Sequence, residues 1–212
     1  MSKCVRRRSA LTLLELIVVL FVLVLLAGIV VPLVSGTRSQ AEDTATRQTL
    51  ANVRDAVIQY WMDAPKRLPR REDDDTTGRE PGPQVVFLFV NPATWDVVPA
   101  GYEAVSSFDP NYQVGWRGPY LSQATGRYRL DSAAGFTPDY GVAGADPDQA
   151  ALDAWGNPVV LQNPTLGLPG VQDVRVVSAG PNGRIDINPT TLSANLTDVN
   201  DGDDLYVAFT LR

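Results

Sequence analysis

Leu11-Thr12-Leu13-Leu14-Glu15 opens an apolar run that continues to Val34, and the reading of that run decides the fold of everything after it. Beyond the single acid, residues 16–34 carry no charge, about 19 residues, enough helix to cross the hydrocarbon of a bilayer. In front stands Met1-Ser2-Lys3-Cys4-Val5-Arg6-Arg7-Arg8-Ser9-Ala10, with four cations and no acid. Cations at the start of such a run keep the N-terminus cytoplasmic and send the C-terminal bulk across, so the layout predicts a single-pass, membrane-held protein. A cleaved secretory signal has an apolar core of roughly 7–15 residues, which this run exceeds. A plain signal anchor explains every feature except Glu15.

A carboxylate near the start of a membrane helix costs several kcal/mol unless it is paired, which makes Glu15 a functional residue by default. A cut between Ala10 and Leu11 would place a new α-amine one helical turn from Glu15. A neighbouring copy would bring its own amine to the same depth, and cancelling the two charges in low dielectric favours lateral assembly.

A short basic leader, a small residue, then Leu-Thr-Leu-Leu-Glu followed by Leu-Ile-Val-Val-Leu resembles the class III signal of type IV pilins and type II secretion pseudopilins. The resemblance implies cleavage after Ala10 by a prepilin peptidase, methylation of the Leu11 amine, and Glu15 as the residue guiding assembly. Two positions depart from the family pattern: Ala10 stands where Gly is usual, and Leu11 where Phe or Met is usual.

The run continues as a stalk. Pro32 removes the hydrogen bond to the Gly28 carbonyl and presses against it, which predicts a kink or local melting. No Gly or Pro occurs between Thr37 and Asp63, and Ala45, Leu50, Val53, Val57 and Tyr60 recur near helical spacing. One helix from Leu11 to about Met62 would be roughly 75–80 Å long at 1.5 Å per residue. The prolines at 65 and 69 end it.

The 212 residues, 44% of them hydrophobic, suffice for one globular domain on that stalk. Four of the 18 basic residues lie in the leader, leaving 14 basic against 24 acidic residues, a net charge of −10. So acidic a domain is a poor binder of nucleic acid, and no nucleic-acid partner is expected. The one cysteine, Cys4, is also in the leader, so stability must come from packing, partner subunits or a metal. The chain has no His and no Gly-rich phosphate loop, which argues against an enzyme.

Residues 70–83, with their acid run at 72–75, read as a solvated loop. Val85-Val86-Phe87-Leu88-Phe89-Val90 reads equally as a buried strand or a helix, and residues 112–129 are loop-rich. The tail is more informative. Asp153-Ala154-Trp155-Gly156-Asn157-Pro158 is turn chemistry before the strand-like Val159-Val160-Leu161, with Trp155 placed to plug the gap between helix and sheet. Asp173-Val174-Arg175-Val176-Val177-Ser178 is a period-2 strand, residues 179–183 a turn, and residues 206–211 a last strand.

This order, Asp-x-Trp-Gly-Asn-Pro, then Ser-x-Gly-x-Asn-Gly, then Asp-Asp-Leu, is similar to the C-terminal half of the major pseudopilin of type II secretion. That family holds calcium in the loop between its last strands, through carboxylates and backbone carbonyls. The residues point the same way. Calcium takes six to eight hard oxygens, and Asp201, Asp203 and Asp204 cluster three carboxylates beside a turn where Ser178 and Asn182 add oxygens. A hydrated acidic turn is the alternative.

The expected architecture is therefore α+β and pilin-like, a long N-terminal helix packed on a small antiparallel sheet. Its parts are a leader at 1–10, a transmembrane and filament-core helix at 11–35, the periplasmic half of the stalk at 36–63, a variable connection at 64–152 and the C-terminal sheet at 153–212. The expected function is a structural pseudopilin in the bacterial inner membrane, assembling with itself and other pseudopilins on an inner-membrane platform into a periplasmic filament that drives export. The alternatives are a type IV pilus subunit for adhesion, motility or DNA uptake, and a signal-anchored periplasmic binding domain.

Overall fold

The computed structural model describes residues 13–64, 68–69, 84–91, 108–122, 126–128, 132–136, 148–165, 170–197 and 202–212, with backbone alone at 29–37, 127–128, 132 and 148. Ala10 and Leu11, the acid run at 72–75 and Asp201 lie outside these residues. The architecture is α+β: a helix α1 (Leu13–Asp63), a two-stranded sheet of β1 (Gly126–Tyr128) and β2 (Asp148–Ala150), and a three-stranded antiparallel sheet of β3 (Val160–Gln162), β4 (Gln172–Ser178) and β5 (Leu205–Leu211) in the order β3-β4-β5. The chain divides into two compact units, Met1–Glu42 and Asp43–Arg212, and the division falls inside α1.

In the first unit α1 runs unbroken past Gly28 and Pro32. No local melting accompanies that proline; the backbone stays helical on both sides of it. Every large hydrophobic residue from Leu13 (78% exposed) to Leu26 (54%) is exposed, the least being Val22 at 46%. Glu15 is the only charge in the first turn. Among the described residues no helix is long and apolar enough to cross a membrane. Side chains here are described to Gly28 and again from Arg38, and the uncharged run of the sequence continues to Val34.

In the second unit α1 buries one stripe, Thr46, Leu50, Val53, Val57 and Tyr60, each at most 1% exposed. The spacing is helical, but the stripe begins at Thr46, and Ala45 is exposed. Thr46 is selected because its Oγ1 accepts the backbone N–H of Ala154 at 3.1 Å, a polar tie that alanine cannot make. The helix closes with Ala64 N–H on the Tyr60 carbonyl at 2.7 Å, and the Asp63 carbonyl is capped by Gly115 N–H at 2.7 Å.

That stripe packs on one face of the larger sheet, with Leu161, Val174, Val176 and Leu211 in the same core cluster. Val160 and Val177 face the other way, into a second cluster with Phe136, Ile185 and Ile187. A central strand covered on both faces reads as a nearly continuous apolar run, and β4 is buried from Val174 to Ser178. Arg175 is therefore inside: it is 0% exposed, donating to Gln162 Oε1 and to the carbonyls of Thr191 and Asn188. Residues 85–90, open between strand and helix in the sequence, form a buried 3-10 turn at Val85–Leu88. The pairing of β1 with β2 has no counterpart in the sequence reading.

Trp155 does not plug the gap between helix and sheet. It is half-buried and belongs to neither core cluster, while Trp61 and Trp116 pack against the main one. Its backbone N–H is held by Asp153 Oδ1 at 3.0 Å in a tight turn that continues through Gly156 at φ +90°.

Candidate metal centre

The register of β4 with β5 builds the site. Ser178 pairs with Leu205, so the turn leaving β4 lies beside the residues entering β5. Two glycines allow the close approach. Gly180 (φ +61°) lies against the Asp203 carbonyl oxygen, and Gly202 (φ +60°) against the Asp186 carboxylate; a Cβ at either would collide.

Between these loops three carboxylates converge: Asp186, Asp203 and Asp204, with one oxygen of each within 4.8 Å of the others. Two of them, Asp203 and Asp204, are among the residues singled out in the sequence. Asp186 is not, although a signal for it exists. It sits between Ile185 and Ile187, both buried in the second hydrophobic cluster, so alternation turns its own carboxylate away from that core, to the exposed side where Asp203 and Asp204 lie.

Ser178 is not part of the convergence. Its hydroxyl is fully buried and donates to Asp153 Oδ2 at 2.7 Å, so the ligand set read from the sequence is revised. Asn182 is present but presents its amide nitrogen. Nδ2 donates to Asp186 Oδ2 at 3.1 Å and to Asp203 Oδ1, while its Oδ1 accepts the Arg184 N–H at 2.6 Å.

Asp204 is the least ordinary member. It is 6% exposed, and its Oδ2 accepts the N–H groups of Asp186 at 2.8 Å and Ile187 at 2.9 Å. Its Oδ1 is buried with no hydrogen-bond partner. Burial above all, with the Asp186 and Asp203 charges, pushes this carboxyl up to about 7 against the opposing effect of the two N–H groups. An orphaned buried oxygen beside two further carboxylates is the donor chemistry of a hard cation, since an uncompensated oxygen in low dielectric is costly and a divalent ion would satisfy it. The residues fit a metal ion held by Asp186, Asp203 and Asp204.

The remaining motif residues support the site from behind. Asp153 is buried and accepts the N–H groups of Trp155 and Asn157 on Oδ1. Asn157 Nδ2 reaches the Gly180 carbonyl at 3.0 Å, tying the turn before Pro158 to the turn beside the cluster. No protein-family model, curated protein or solved structure matches this chain.

Proposed function

We propose that this chain is a pilin-like structural subunit, a pseudopilin of a type II secretion-like system, anchored in the bacterial inner membrane with its second unit in the periplasm. The observation that carries the reading is the first half of α1, a helix apolar on every side and exposed from Leu13 to Leu26, with a single carboxylate in its first turn. A helix that is apolar all round needs lipid or other protein around it. Lipid suits it before assembly, and neighbouring helices suit it in a filament core. The Glu15 carboxylate would meet the Leu11 amine of its own or an adjacent subunit, and the prepilin peptidase would expose that amine by cutting after Ala10.

The same reading assigns calcium to Asp186, Asp203 and Asp204. Their donors are all oxygen, which suits calcium or magnesium better than a metal preferring nitrogen or sulfur. Bound there, the ion supplies a cross-link between the two loops at the mouth of β4 and β5. The chain, whose one cysteine lies in the leader, cannot make that link with a disulfide.

Mass spectrometry of the native protein tests the proposal. A mature chain beginning at N-methylated Leu11 is expected; a chain that retains residues 1–10 in cells with an active prepilin peptidase would remove its main support.

A further inference from the structure

A cation entering this cluster would find its place contested from inside the protein. Asp186 Oδ2 and Asp203 Oδ1 both accept from the Asn182 amide NH2. The backbone N–H of Asn182 adds a third contact, to Asp203 Oδ2 at 3.0 Å. Which end of the amide is nitrogen is fixed by the other end, because Oδ1 accepts the Arg184 N–H at 2.6 Å and that group can only donate.

The arrangement has a plain electrostatic sense. Asp186 and Asp203 repel one another, and a pair of N–H dipoles between them takes the part of a positive charge. What the amide does not serve is Asp204, whose Oδ1 stays buried and without a partner. The cluster is half satisfied by the protein itself, and the unsatisfied half is the one a side-chain donor does not reach.

We infer that Asn182 is an internal competitor for the cation: its amide occupies the carboxylates of Asp186 and Asp203 in the cation-free protein and sets the affinity of the site. The inference rests on the metal reading above. An N–H directed at a cation is repulsive, so uptake requires the amide to leave. Turning it end for end would present Oδ1, but at the loss of the Arg184 hydrogen bond. The backbone around it is constrained by Gly180 and Gly183 at φ +61° and +70°. Cation uptake is therefore coupled to a change in the turn at 180–184. Since the Gly180 carbonyl accepts from Asn157, the change is felt at the Trp155 turn as well.

The test uses the full-length chain in detergent, stripped with chelator, with two variants. Asn182→Ala removes the amide. Asn182→Ser keeps a short acceptor for the Arg184 N–H while leaving the space between Asp186 and Asp203 open. Calorimetric titration with CaCl2 should show both variants binding about tenfold or more tightly than the parent, the scale expected when hydrogen bonds to charged groups no longer compete. Both variants should also melt lower than the parent in chelator. A parent that shows no binding beside variants that do supports the inference in its strongest form. Variants binding with the parent's affinity, or more weakly, overturn it and leave the metal centre standing. Absence of binding by all three with CaCl2, MgCl2 and MnCl2 overturns the metal reading itself, and the inference with it.

Discussion

The hydroxyl of Ser178 donates to Asp153 Oδ2 at 2.7 Å, joining the end of β4 to a turn 25 residues earlier in the chain. Each belongs to a motif that stands out in the sequence for a different reason, and the structure makes them one unit. Asp153 also holds Trp155 N–H at 3.0 Å and Asn157 N–H at 2.8 Å, so removing its carboxylate strands one buried and two part-buried donors at once. Asp153→Ala is expected to destabilise the second unit by about 3 kcal/mol, the cost of orphaning groups bonded to a buried charge. Chemical denaturation followed by tryptophan fluorescence measures it, and a loss within 0.5 kcal/mol, roughly the range of a surface substitution, would deny the network its role.

Arg175 gives a second stability prediction. Its guanidinium, inside the sheet, donates to Gln162 and to the carbonyls of Asn188 and Thr191, so it ties the loop after the metal centre to β3 and β4. Arg175→Ala leaves those acceptors buried, and a loss of about 3 kcal/mol is expected in the same denaturation measurement. Arg175→Lys should recover only part of it, because an ammonium does not reproduce the fork that spans three acceptors. Full recovery by lysine would show that charge alone, and not the fork, is what the loop needs.

Much of this is legible in the sequence. The end of α1, the three strands of the larger sheet and the turn at 179–183 fall within a residue or two of their expected places, because periodicity and Gly-Pro punctuation are local signals. The ligand set is less legible. Ser178 is next to the turn in sequence, but strand alternation points its hydroxyl at Asp153; Asp186 lies in what reads as polar filler, and only the burial of its isoleucine neighbours turns it outward, beside Asp203 and Asp204. Trp155 misleads for a related reason, since an aromatic beside a turn residue is as easily held out by the turn as drawn into the core.

Asp204 makes the cation-free protein sensitive to pH. Its folded carboxyl is raised to about 7 by burial, whereas in the unfolded chain it titrates near 3.9. Between those values the folded state holds a proton that the unfolded state has released. Stability from this group is complete below about pH 4, declines as pH rises through the interval, and is lost above about pH 7. Other carboxylates titrate too, so the measurement is a difference. In chelator, the stability of the parent relative to Asp204→Asn should fall steadily between pH 4.5 and 7.5, and a difference that does not change with pH would contradict the assignment.

Adding calcium at neutral pH should reverse that loss. At about one hundred times the dissociation constant, binding to the folded state alone contributes about 2.7 kcal/mol. For a unit of this size that is a rise of roughly 5–10 °C in melting temperature on going from chelator to saturating CaCl2. Asp203→Asn, which removes one of the three converging carboxylates, should abolish most of the rise, measured for each protein from its own midpoint in chelator. An equal rise in parent and variant would place any bound ion elsewhere.

Glu15 bears on assembly rather than on folding. It lies in the first turn of a helix whose neighbours Leu13, Leu14, Leu16 and Ile17 are all more than half exposed, far in sequence from either core cluster. Glu15→Ala makes that end of the helix more apolar, so insertion into the membrane should be as efficient as in the parent, or more so. What it removes is the charge that would pair with a Leu11 amine in low dielectric, and losing one partner of a buried pair leaves the other uncompensated at a cost of about 3–5 kcal/mol. Cells expressing the variant should therefore show the parent's amount in the membrane fraction and at least about tenfold less in sheared or cross-linked filaments. Glu15→Gln should fail in the same way if charge is the reason, and recover assembly if shape and hydrogen bonding suffice. Normal filament incorporation by the alanine variant would mean that the helices associate by apolar packing alone.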